Sequence, residues 1–96
     1  MKTFGRYIRE LREAHGLPLR KVAAVLDIDT SILSKIERNE RRATIKMLPV
    51  FSEILNTPEK DIQIEFIKSM IISDLGKLKY LETGLKETLK SIKDDL

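Results

Sequence analysis

Apolar residues recur at helical spacing almost from one end of this chain to the other, and that pattern leaves few architectures open. Phe4, Ile8 and Leu11 repeat at i, i+4 and i+7, which leaves Arg6 and Arg9 on another face. Thr3 is placed to cap this first helix, over about 3–15, and Gly16 to stop it with a left-handed residue. Val22, Ala23 and Leu26 mark a second, shorter helix over about 19–26, and Ile32, Leu33 and Ile36 a third over about 30–38. The polar stretch Asn39 to Ala43 reads as a loop. Thr44 then caps a fourth helix with Ile45, Leu48, Phe51 and Leu55 inward, and Pro49 inside it predicts a kink or an irregular first turn. Thr57-Pro58-Glu59 opens a fifth helix that buries Ile62, Phe66, Ile67 and Met70. Strand alternation and internal repeats are absent, so the class is all-α.

Beyond residue 68 the period changes. Ile71, Leu78, Leu85 and Ile92 lie seven apart, and Leu75, Leu89 and Leu96 share a second series interrupted by Glu82. Such a stripe either packs back on its own globule or meets a twin. A chain this short keeps little surface with which to cover it. The expectation is therefore a globular domain over 1–68 and a C-terminal dimerisation helix over 69–96. Ile71, Leu75, Leu78, Leu85, Leu89 and Ile92 form its interface, with Lys79, Lys86 and Lys93 in a flanking column.

A content of 42% hydrophobic and 34% charged residues supports a packed core. With no cysteine there is no disulfide or thiolate metal site, as suits a reducing compartment. No apolar run approaches the roughly 20 residues needed to cross a bilayer, and the charged N-terminus does not resemble a signal peptide. A cytoplasmic protein with no membrane partner is expected. His15 is the one histidine, so no transition-metal cluster is expected. No acid–base pair, nucleophile constellation or glycine-rich phosphate loop stands out, so neither an enzyme, nor a cofactor, nor a small-molecule ligand is expected. The net charge of +3 is unevenly spread: residues 1–58 carry eleven Lys/Arg against seven Asp/Glu, and residues 59–96 carry seven against eight. Every arginine falls in the first part, and guanidinium forks suit phosphates and base edges.

Between the second and third helices stands Asp27-Ile28-Asp29. A sharp turn here needs one residue at an unusual backbone angle, which Asp27 can adopt at less cost than most. Ile28 points back to plug the angle, and Asp29 is placed to cap the next helix. Leu19, Ala23, Asp27, Leu33 and Ile36 sit at relative positions 1, 5, 9, 15 and 18, with Val22, Leu26 and Ile28 between them. This spacing resembles the DNA-binding helix-turn-helix of the phage-repressor (Xre-like) family. "LREAHGL" before it and "SKIERNERRATIKMLPVFSEILNT" after it extend the resemblance over about residues 3–66.

The resemblance implies a five-helix domain whose third helix enters the major groove of double-stranded DNA. Thr30, Ser31, Ser34 and Lys35 would then face base edges, and Ile32 a thymine methyl. Arg38, Arg41, Arg42 and Thr44 would meet phosphates, and Arg20 and Lys21 the backbone beside the groove. Arg12 and Glu37 match a structural ion pair of the family. Three departures stand out: Leu19 replaces the usual glutamine, Pro18 a polar cap, and Asp27 the turn glycine. The first removes a DNA contact or moves it to Arg20. The implied function is a sequence-specific regulator, a repressor or autoregulator, acting as a homodimer on a palindromic operator. The alternative is an antitoxin or protein-interaction module whose C-terminal helix binds another protein.

Overall fold

The structure, a computed structural model, describes residues 2–96. Among them are six helices and no strand: α1 (Phe4–Ala14), α2 (Leu19–Val25), α3 (Thr30–Glu37), α4 (Met47–Ile54), α5 (Glu59–Leu75) and α6 (Leu81–Asp94). Thr3 opens α1 as expected, its hydroxyl accepting from the Arg6 amide at 3.2 Å. The first four helices all stop in one way, on a residue with positive φ. These residues are Gly16 (φ 63°), Asp27 (φ 57°), Asn39 (φ 61°) and Asn56 (φ 47°). Each stop returns two amides to the last turn: Gly16 and Leu17 donate to the Glu13 and Arg12 carbonyls, Asp27 and Ile28 to those of Ala24 and Ala23. Asn39 with Glu40, and Asn56 with Thr57, repeat the arrangement.

The core is built from one or two residues of each of the first five helices. Ile8, Val22, Leu33, Ile36, Phe51, Leu55 and Ile62 are almost wholly buried. The Phe4 ring meets Phe51 and Phe66 edge-on, with centroids 6.0 and 5.3 Å away. Gly5 lets α1 cross α3 at backbone distance, because a Cβ there would lie 2.1 Å from the Ile36 carbonyl oxygen. α2 and α3 pack on each other, and α4 packs on α5.

Four expectations are corrected. Thr44 does not open α4; two turn residues intervene, and Ile45 is 75% exposed rather than inward. Pro49 therefore falls in the first turn, where its missing N–H has no intrahelical acceptor to lose, and no kink is required. Ile67 is 52% exposed, on the side of α5 away from the core. The C-terminal stripe is not one helix: Ile71 and Leu75 belong to α5, Leu78 lies in the Gly76–Tyr80 turn, and only Leu85, Leu89 and Ile92 lie on α6. Gly76 marks the break, since a Cβ there would sit 2.4 Å from the Ile72 carbonyl oxygen. Lys79 leaves its expected column with that turn and stands over the Tyr80 ring, 5.4 Å from its centroid.

Candidate nucleic-acid interface

The α2–turn–α3 unit takes its angle from the turn. Asp27 supplies the left-handed residue, and Ile28 packs half-buried against the core beneath it. Asp29 occupies the N-cap position of α3 with an extended backbone (φ −66°, ψ 147°), and its carbonyl accepts from Ile32 and Leu33 at 3.0 and 3.2 Å. Its carboxylate, however, accepts no capping hydrogen bond. The side chain is exposed and free at the start of α3, which corrects the expectation that it closes the helix end.

Leu33 and Ile36 anchor α3 in the core, and Glu37 joins them from the same side. The opposite side is then fixed by a repeat of 3.6 residues: Ser31, Lys35 and Arg38, at i, i+4 and i+7, share one outward face. Thr30 is exposed at its leading end. Ser34 and Ile32 sit at the two edges, each half-buried, and Ile32 also packs on the core. Arg20 and Lys21, exposed in the first turn of α2, and Arg41 and Thr44, exposed in the loop after α3, complete the expected set. Lys46, which the sequence reading passed over, is an exposed cation beside Thr44. A buried face in this stretch would have hidden it, but the helix starts later than expected.

Two of the expected phosphate ligands are engaged within the chain. Arg38 donates to the Glu40 carboxylate and the Ser34 hydroxyl. Arg42 reaches back to Asp74 near the end of α5, tying the loop to that helix. Both arginines are more than half exposed, so these pairs contribute little to stability and can exchange for phosphate. Leu19, at the usual glutamine position, is half-buried against the core and offers no polar group.

Beneath α3, Arg12 holds Glu37 through two hydrogen bonds, Nε to Oε2 at 2.7 Å and Nη2 to Oε1 at 3.0 Å. A third, from Nη1 to the Leu17 carbonyl at 2.9 Å, ties the same guanidinium to the α1–α2 connection. The two side chains are only 13% and 4% exposed. The hydrogen bond to Glu37 raises the Arg12 pKa above the ordinary guanidinium value, against the opposing effect of burial. Arg12 thereby ties α1 to α3 and to the α1–α2 connection. On α1 itself, Arg6 and Arg9 pair with Glu10 and Glu13, and His15 bonds the Leu11 carbonyl through Nδ1 at 2.8 Å. No cluster of metal-ligating side chains occurs among the described residues, and no helix among them is long and apolar enough to cross a membrane.

Comparison with known proteins bears on this arrangement. The helix-turn-helix family model matches residues 8–62, more than half of the chain and the whole of α2, α3 and α4. Among solved structures, the chain is similar to the clp gene regulator ClgR from C. glutamicum, with 27% identity and a TM-score of 0.58. That similarity covers 70% of this chain and 87% of the other. No curated protein matches. The left-handed turn, the outward basic face of α3, the buried pair below it and the family match agree: the chain belongs to the phage-repressor-like (Xre) helix-turn-helix family of DNA-binding transcription regulators.

Proposed function

We propose that this protein is a sequence-specific regulator, a repressor or autoregulator of transcription, that binds a two-fold symmetric operator as a homodimer. The observation that carries the reading is the outward face of α3, where Ser31, Lys35 and Arg38 align opposite the buried Leu33 and Ile36. In the major groove this face presents Thr30, Ser31 and Lys35 to base edges, while Arg20, Lys21, Arg41 and Thr44 lie on phosphates. Asp29 adds a reader: with its carboxylate free at the leading end of α3, it accepts from a cytosine amino group. The apolar residues of α5, the turn and α6 (Ile71, Leu75, Leu78, Leu85, Leu89 and Ile92) join two chains. Their recognition helices then enter successive major grooves about 34 Å apart. Glu40 and Asp74, which hold Arg38 and Arg42 in the free protein, release them to phosphate on binding.

Titration of labelled duplexes at several salt concentrations tests the assignment. Lys35→Ala should weaken binding to the preferred site by about 1–3 kcal/mol and relax its sequence preference. Arg41→Ala should weaken all duplexes alike and lower the salt slope by about one. Asp29→Asn should alter preference at one base pair. Lys90→Ala, on α6, should change none of these. If Lys35→Ala and Arg41→Ala both bind as the parent does, the fold serves a protein partner instead.

A further inference from the structure

Most of the large apolar side chains left exposed lie on α5, the turn after it and α6. Ile62 and Phe66 turn one side of α5 toward the core, and Met70 follows on the same side, half-buried. On the opposite side Ile64, Ile67, Ile71 and Leu75 recur at i, i+3, i+7 and i+11. Ile64, Ile67 and Leu75 are 42%, 52% and 41% exposed. α5 thus carries a second apolar stripe between its charged residues, and burying such a stripe against a partner is what stabilises an amphipathic surface helix. This outer stripe runs at one end into a groove of about 490 Å³ between α4 and α5, walled by Ile45, Pro49, Phe66 and Ile67. At the other end it meets the turn, where Leu75 and Leu78 face Leu81 and Leu85.

α6 has a stripe of its own, Leu81, Leu85, Leu89 and Ile92, and buries none of its residues. A helix of 14 residues is marginal in water without packing, so this stripe also needs a cover. The size of what is missing can be judged from the whole chain. A compact monomer of this size would expose about 5,700 Å² with a radius of gyration of about 12.5 Å. The chain exposes 6987 Å² and has a radius of 15.0 Å. The surplus, about 1,300 Å², exceeds the roughly 800 Å² that each partner gives to a stable interface of ordinary size.

We propose that a second copy of this chain supplies the cover by exchange: α6 of each chain lies along the outer stripe of its partner's α5. The two stripes match, since Ile64 to Leu75 and Leu81 to Ile92 each span about 16 Å along the helix axis. Pairing α6 with α6 would cover one stripe and leave that of α5 in water. Reciprocal exchange covers both in each chain, as a two-fold interface requires. The inference rests on the homodimer reading and gives that dimer its geometry.

The chain has no cysteine, so introduced thiols report contacts without background. Ile67→Cys and Leu89→Cys are made as separate full-length variants, one with a size tag, mixed in equal amounts and oxidised. Ile64→Cys or Ile71→Cys with Leu85→Cys repeats the trial in neighbouring registers. These side chains are not part of the buried core, so their replacement leaves the fold intact. Exchange predicts mixed α5–α6 cross-links at least tenfold more abundant than either self-link in one of these registers. Dominant Leu89→Cys or Ile67→Cys self-links would overturn exchange while preserving a dimer, as would a sedimenting dimer with no cross-link. A monomer with no cross-link would overturn the homodimer too, and duplex binding, measured apart, would still stand or fall alone.

Discussion

Arg12 and Glu37 carry more structural consequence than any exposed charge on this protein. Both lie largely out of solvent, joined by two hydrogen bonds, and the same guanidinium reaches the Leu17 carbonyl. Deleting one partner strands the other as an uncompensated charge. Arg12→Ala or Glu37→Ala should therefore lower the free energy of unfolding by about 3–5 kcal/mol in urea titrations. Replacing both by apolar residues of similar size, Arg12→Met with Glu37→Leu, should cost far less than the sum of the two single losses. Strict additivity would mean that the pair is not coupled. Asp27 and Asp29 show how far a single residue can be read in advance. The left-handed backbone of Asp27 followed from the need for a sharp turn and the short list of residues that tolerate one. The free carboxylate of Asp29 did not follow, because position along the chain places a side chain at a helix end without fixing its rotamer.

At the scale of elements, α1 and α3 approach more closely than side chains allow, and Gly5 is the reason. A methyl group at that position would press on the carbonyl oxygens of Ile36 and Glu37, 2.1 and 2.8 Å away, and a backbone cannot swing aside as a side chain can. Gly5→Ala should destabilise the protein by about 1–3 kcal/mol despite the better helix propensity of alanine, a result that thermal unfolding would read directly. A rise in stability would mean that the helices separate freely. Nothing in the linear pattern marks Gly5, because a close crossing depends on a partner 31 residues or more away. The helix stops divide in the same way. Gly16 and Asp27 were readable, since each ends a clear apolar period. Asn39 and Asn56 were not, because asparagine is as common in any polar loop as at a left-handed stop. The heptad pattern from Ile71 to Leu96 misled for a further reason: its period continues across a turn. A glycine inside a helix costs only about 1 kcal/mol, so Gly76 alone gave little ground to break it.

Across the whole molecule, two kinds of surface divide between the elements. The first four helices and the core-facing side of α5 build and position α3, while Ile64, Ile67 and Leu75 on the other side of α5 and Leu85, Leu89 and Ile92 on α6 remain exposed. Asp74 links the two regions by pairing with Arg42 of the loop after α3. Five helices and the sharp turn between the second and third were legible because local apolar periods and the short list of turn-tolerant residues point to them. In the proposed homodimer, pairing two chains would double the phosphate contacts and impose two-fold symmetry on the site they read. The central claim is therefore tested most directly by selecting, with the full chain at low salt, the duplexes it retains from a random pool. Enrichment is expected of a two-fold symmetric motif whose half-sites are centred about one helical turn, roughly 10 base pairs, apart. Retention of no motif, or of an asymmetric one, would contradict it.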